Sequence, residues 1–298
     1  MDVLFSRRVS AVALLALAAC SGPADDPEGL DPSGPAAAEL RASRHGLVVL
    51  EHDQGEAGVA LRGQFIDSRG LGPSDALGLL ALPEVEWSSG HLEPGECRVH
   101  ASEVELLDDT GRRSLSLLSA GALRVRAEGV PGEGLKLSPA ALPRVLFAVR
   151  GVVYDAYAPE VLPYGPGARY TVRADGDEIG RFEAYIDAPE TPKLVGAERV
   201  EQGIRVHFEA SADVRLMLAR QDSGETRAVV CRPTQSDQGF FPAELVEAVG
   251  RGALEVAVVR THRRSVQVEG LDRLDLLFVS RDRADVPGGA VEATPVLE

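Results

Sequence analysis

The chain has 298 residues, with 46 acidic against 31 basic side chains and a formal net charge of −15. Such a field repels nucleic acid and anionic lipid head groups, which excludes a nucleic-acid role and leaves soluble behaviour, cation binding or a basic partner open. The apolar fraction of 44% supplies real cores, and the length suits two small domains better than one.

Residues 1–19 read as an export signal. Arg7 and Arg8 form a short basic start. Val9 to Ala19 is apolar except for Ser10 and runs 11 residues, against the roughly 20 that a membrane-spanning helix needs. A basic start, a short apolar middle and small residues at the end are the order of a cleaved signal. Its last residues, Leu17-Ala18-Ala19-Cys20, resemble the lipobox of bacterial lipoproteins, and Ser21-Gly22 suits the flank. The resemblance implies a diacylglycerol on the Cys20 thiol, cleavage before Cys20 and acylation of the new amine. Acyl chains contribute about 0.8 kcal/mol per buried methylene, so several of them anchor stably. In that family Asp after the cysteine commonly marks retention at the inner membrane. Ser21 stands there in this chain, which implies a lipid-anchored place in the cell envelope, at the outer membrane. Loss of the signal (Asp2, Arg7 and Arg8, together +1) takes the charge from −15 to −16.

Residues 20–43 are expected to form a flexible tether. "SGPADDPEGLDPSGPAAAEL" is rich in Pro, Gly, Ala and Asp and has no apolar period. Such a composition cannot bury enough surface to fold.

Residues 44–188 are expected to form a first β-sandwich. "GLVVLEHD", "GVALRGQFIDS", "ALRVRAEG" and "RVLFAVRGVVYDAY" are short, β-branched and bounded by turn residues. Leu123, Val125 and Ala127 alternate with Arg124, Arg126 and Glu128, the period of a half-buried strand. "PSDALGLLAL" allows a short helix, and Trp87 shares a core face with Val85. In "ARYTVRADGDEIGRFEAYID" the Asp175-Gly176 pair predicts a two-residue hairpin turn with Val172 opposite Ile179 and a β-bulge at Gly180. Asp175 and Asp177 lack the spacing of a calcium loop. All five tyrosines, Tyr154, Tyr157, Tyr164, Tyr170 and Tyr185, fall in one stretch of this domain. Packing at a sandwich edge gives such clustering; so does a contact surface on a Pro-stiffened loop. For the second reading the candidate ligand-binding residues are Tyr157 and Tyr164, both expected in solvent.

Pro189 and Pro192 place a boundary near 187–192. Residues 189–298 are expected to form a second sandwich. "KLVGAERV", "GIRVHFEA", "DVRLMLAR", "TRAVVCRP", "ALEVAVVRT" and "LDLLFVS" are six short strands with turn signals between them. "GFFPAELVEAVGRG" reads as a short crossover helix with Pro242 at its first position and Gly250 or Gly252 at its end. Strand number and spacing resemble the immunoglobulin-like or fibronectin-like class. "RTHRRS", Arg260 to Ser265, is expected to be a solvated turn at a strand end. The fold class is therefore all-β: two β-sandwich domains after a tether. The two-domain layout with one cysteine on a strand of each also resembles lipoproteins of GC-rich deltaproteobacteria such as myxobacteria, a resemblance that implies no particular activity.

Cys97 and Cys231 make neither a zinc motif nor a disulfide framework. An inter-domain disulfide and two small apolar residues in separate cores both fit, and wide separation in sequence favours the second. No serine-hydrolase elbow, metal-binding histidine motif, P-loop or dinucleotide fingerprint occurs. The six histidines are scattered; His91 with Glu93 and His100 with Glu103 would make a metal site only by folding together. The expectation is a non-enzymatic binding or scaffold module without metal or cofactor. Its partners would be the membrane, through lipid at Cys20, and an envelope protein or glycan. The alternative is an envelope enzyme with a dispersed site.

Overall fold

The β-branched runs become strands, and the turn residues between them mark the strand ends. The computed structural model describes residues 42–69, 71, 91–101, 114–142, 149–211, 213–220, 227–250 and 252–286. The export signal, Cys20, nearly all of the tether, the short helix at "PSDALGLLAL" and Trp87 lie outside them. The strands are β1 (Ala42–Asp53), β2 (Ala60–Arg69), β3 (Cys97–Ala101), β4 (Ser114–Leu117), β5 (Leu123–Ala127), β6 (Leu135–Leu137), β7 (Ala140–Ala141), β8 (Val149–Tyr157), β9 (Arg169–Ala174) and β10 (Phe182–Asp187). They continue as β11 (Lys193–Val200), β12 (Gly203–Glu209), β13 (Arg215–Arg220), β14 (Arg227–Cys231), β15 (Gln238–Pro242), β16 (Leu254–Val266) and β17 (Arg273–Asp285), with one helix, α1 (Ala243–Val249), before β16. The fold is all-β and sandwich-like.

One ten-stranded sheet, ordered β3-β14-β13-β16-β17-β1-β2-β4-β8-β7, runs through the folded body. Over one part of it lies the four-stranded sheet β10-β9-β5-β6, over another the three-stranded sheet β11-β12-β15. The first core joins Val48, Leu50, Leu61, Phe65 and Phe278 of the large sheet to Val125, Val172, Phe182 and Ile186 of the smaller one. The second joins Leu216, Leu218, Val229, Val256 and Val258 to Ile204, Val206, Phe208 and Phe241, with Val246 and Val249 of α1 closing it. A third apolar cluster, including Leu47, Val49, Met217, Val230, Ala257 and Leu277, lies among the alternate residues of the same large-sheet strands. That explains the continuous runs "LVVL" and "LLFV": these strands are buried on both faces, so their apolar residues do not alternate with polar ones.

The boundary expected at 187–192 does not divide two sheets. Residues 39–298 form one unit. β1 from the first half pairs in parallel with β17 from the last, His45 opposite Arg273 through Asp53 opposite Arg281. β3, also from the first half, pairs with β14 at the far edge of the sheet. The thirteen-residue strand β17 places Leu274, Leu276 and Phe278 in the first core, and Val286, just past its end, joins the second. The first two cores draw mainly on different halves of the chain, yet β16 serves both, Val256 and Val258 entering the second and Val266 packing on the first.

Three local expectations change. The β9–β10 turn is a seven-residue loop, 175–181, because Ala174 pairs with Phe182 and Val172 with Ala184. Ile179 is buried at its base, and Glu178 and Ser119 exchange contacts: the Glu178 amide donates to the Ser119 carbonyl, and the Ser119 amide to the Glu178 carboxylate. Burying Ile179 and satisfying these backbone groups outweighs the tight Asp-Gly turn. "RTHRRS" is not a turn but the outer half of β16, where Arg263 meets Asp275 of β17 and His262 donates to the Asp187 carbonyl. Pro242 occupies the N-cap rather than the first helical position, one residue earlier than expected.

One glycine is required by a close approach. β2 pairs with β4 over Ile66–Arg69 and with β8 over Ala60–Gly63. Where β8 takes over that edge, Gly151 has φ +128°, and a Cβ there would lie 1.8 Å from the Leu117 carbonyl oxygen. No other residue fits that crossing.

Candidate functional site

The tyrosine stretch separates into structural and exposed rings. Tyr154 is fully buried; its hydroxyl donates to the Gly121 carbonyl at 2.8 Å and accepts from the Ala120 amide at 2.9 Å. Tyr170 is also fully buried and donates to the Pro163 carbonyl at 2.6 Å; burial pushes its pKa up to about 12. Tyr164 corrects the expectation of exposure. Its ring stacks on His52 with centroids 3.6 Å apart and planes within 4°. Its hydroxyl donates to the Pro189 carbonyl at 2.7 Å and accepts from Thr191 Oγ1 at 2.8 Å, and Thr191 meets Ser280 Oγ of β17 at 2.6 Å. The ring thus ties the 187–192 segment to the large sheet, which is why it is half-buried. Tyr157 alone meets the expectation, with 51% of its surface exposed at the end of β8. The structure does not bring Tyr157 and Tyr164 together as two exposed rings of one surface.

Tyr185 has another role. It lies on the outer face of β10 with the Arg169 guanidinium 4.2 Å and the Arg264 guanidinium 3.5 Å from its ring centroid. Hydrogen bonding to Arg264 holds its hydroxyl below the usual pKa. Cation–π contacts of this kind fix both cations against the sheet.

The cysteines are paired. Cys97 of β3 and Cys231 of β14 stand opposite each other in the antiparallel register and form a disulfide across 134 residues of sequence. The expectation of two separate apolar cysteines is corrected. Strand pairing across the expected boundary puts them side by side, which sequence distance concealed. Of the proposed histidine constellation, His91 bonds Glu93 at 3.0 Å on the surface and Glu103 lies outside the described residues. His100 is half-buried, and desolvation followed by the charge of Arg98 lowers its pKa. Among the described residues no three His, Cys, Asp or Glu side chains are grouped as metal ligands.

Two of the concave surfaces among the described residues carry polar side chains of interest. One, of about 610 Å³, lies beside the disulfide and is lined by Gln202, Gln235, Gln238, Thr234 and the partly exposed Phe240. The other, of about 700 Å³, lies on the outer face of the four-stranded sheet. Arg124 and Arg126 reach it from β5, and Arg169, Thr171 and Arg173 from β9, while Glu128, Glu133 and Glu183 also line it. The local sequence explains the arrangement. "LRVRA" and "RYTVRA" alternate strictly, so their apolar residues enter the first core and every arginine faces out. The alternation of β5 was legible in the sequence. The convergence of its arginines with those of β9 needed the strand register.

No protein-family model matches this chain, and no curated protein sequence matches it. Among solved structures it is similar to the yeast delta-COP-I mu-homology domain, at 9% identity and a TM-score of 0.17 over 81% of this chain and 94% of that one. A similarity of that size carries no argument about fold or function.

Proposed function

We propose that this chain is a lipid-anchored protein of the cell envelope, held at the outer membrane through Cys20, whose folded body binds a partner or ligand rather than catalysing a reaction. The observation that carries this reading is the short apolar run after Arg7-Arg8 that ends in Leu17-Ala18-Ala19-Cys20. The acidic, Pro- and Gly-rich stretch after it supports a spacer between lipid and body. The Cys97–Cys231 disulfide supports an oxidising compartment, where such bonds form and persist. Cys20→Ala tests the reading by cell fractionation and detergent partitioning. The wild type is expected in the detergent phase, cut before Cys20 and labelled by fed palmitate, and the variant uncut and unlabelled. Equal palmitate labelling and equal cutting of the two would overturn the anchor.

A further inference from the structure

The arginine-lined groove has features that stability alone does not explain. On the outer face of the sheet Lys136, Arg124 and Arg173 stand directly opposite one another on three adjacent strands, β6, β5 and β9. Like charges in that position destabilise a sheet. Three of the four arginines are held from the side. Arg173 meets Glu183 at 2.7 Å, Arg169 meets Asp187 at 2.8 Å, and Arg124 meets Asp175 at 3.4 Å. Arg126, on the strand position between Arg124 and the turn, has no carboxylate partner among the described residues, and its cross-strand neighbour is Thr171. Fixed guanidiniums around a free one present N–H forks that match an oxyanion.

We propose that this groove binds a small multivalent oxyanion, with Arg126 as its central ligand and Arg124, Arg173 and Thr171 beside it. The inference rests on the reading of the body as a binding module and is independent of the anchor at Cys20. Size and charge select the ligand. A volume of about 700 Å³ lies within the range of about 300–1,000 Å³ typical of small-molecule sites. The lining sets Arg124, Arg126, Arg169 and Arg173 against Glu128, Glu133 and Glu183, so it is locally cationic by one charge in a chain that is −15 overall. Screening over roughly 8 Å at physiological salt lets a local cluster attract a compact anion. A long polyanion would extend past that range onto a repelling surface. Polycarboxylates and phosphate esters share the required chemistry.

The test is calorimetric titration of the full chain at low ionic strength with citrate and, separately, with pyrophosphate. Saturable binding of either supports the site. Citrate alone assigns it to polycarboxylates, pyrophosphate alone to phosphates, and both to oxyanions in general. Arg126→Gln is expected to weaken binding about tenfold or more, the size of one lost charge-assisted hydrogen bond. Arg124→Gln should weaken it as well while removing the like-charge contact, so that its melting temperature does not fall. Arg205→Gln on β12, outside the groove, should bind as the wild type does. Absence of saturable binding for both anions, or unchanged affinity in Arg126→Gln, would overturn the proposal. Neither result bears on the Cys20→Ala fractionation, so the two readings fail separately.

Discussion

At the scale of single residues, burial and hydrogen bonding distinguish tyrosines that composition groups together. Tyr164 shares its hydroxyl with the Pro189 carbonyl and Thr191, and its ring lies flat on His52. Removing that hydroxyl takes the donor from the Pro189 carbonyl and leaves Thr191 with Ser280 alone. Tyr164→Phe is therefore expected to lower stability by about 1–2 kcal/mol. Tyr157 is half exposed, and the carboxylate its hydroxyl meets, Glu56, is itself exposed. Tyr157→Ala should stay within about 0.5 kcal/mol of the wild type. Urea melts of the two variants check both values, and equal losses would contradict the division of roles. Clustering of tyrosines was visible in the sequence. Which ring faced water was not, because His52 and Phe278, the rings that pack on Tyr164, each lie more than a hundred residues from it in the chain.

At the scale of elements, strands were legible and their partners were not. "KLVGAERV" became β11 with the same ends, and the helix within "GFFPAELVEAVGRG" formed with Val246 and Val249 inward. The hairpin at Asp175-Gly176 was located correctly and registered wrongly, because Ile179 gains more from burial than the chain gains from a tight turn. The basic run in β16 shows the same limit. Six polar residues in sequence look like a turn, yet twelve residues of β16 pair with β17, and Asp275 receives Arg263. Sharing of elements also changes what a fragment should do. A chain from Lys193 to Glu298 keeps β11 to β17 but loses β1, the parallel partner of β17. Leu274, Leu276 and Phe278 would then lack most of the first core. Such a fragment is expected to show no cooperative thermal melt. A β-type circular dichroism spectrum with a sharp melt would show that the second core stands alone.

At the scale of the whole molecule, the two halves of the chain are cross-linked by pairing rather than joined by a linker. β1 enters beside β17, and β3 is stapled to β14 by the Cys97–Cys231 bond. A disulfide that closes a long loop stabilises by about 2–5 kcal/mol, chiefly by restricting the unfolded chain. The double variant Cys97→Ala/Cys231→Ala should melt at lower temperature, and reducing agent should lower the wild type to the same extent. A variant that melts as the oxidised wild type does would show that strand pairing alone holds β3. On reduction, hydrogen exchange at β3 should rise more than at β1 or β17, since β14 is its one strand neighbour among the described residues and the disulfide ties it there.

The amino-acid sequence by itself determined the fold class, most strand positions, the helix and the basis of the lipobox reading. These depend on local order: alternation, turn residues, a proline at a helix start, an apolar run that stops at Cys20. Tertiary structure decided what meets what. Only strand order set Cys97 against Cys231, aligned Lys136, Arg124 and Arg173 in one row, and drew β1 to β17 across the proline break. The physical reason is that side-chain period reports which face of a strand is buried, whereas a pairing partner is selected by how all the apolar faces pack at once.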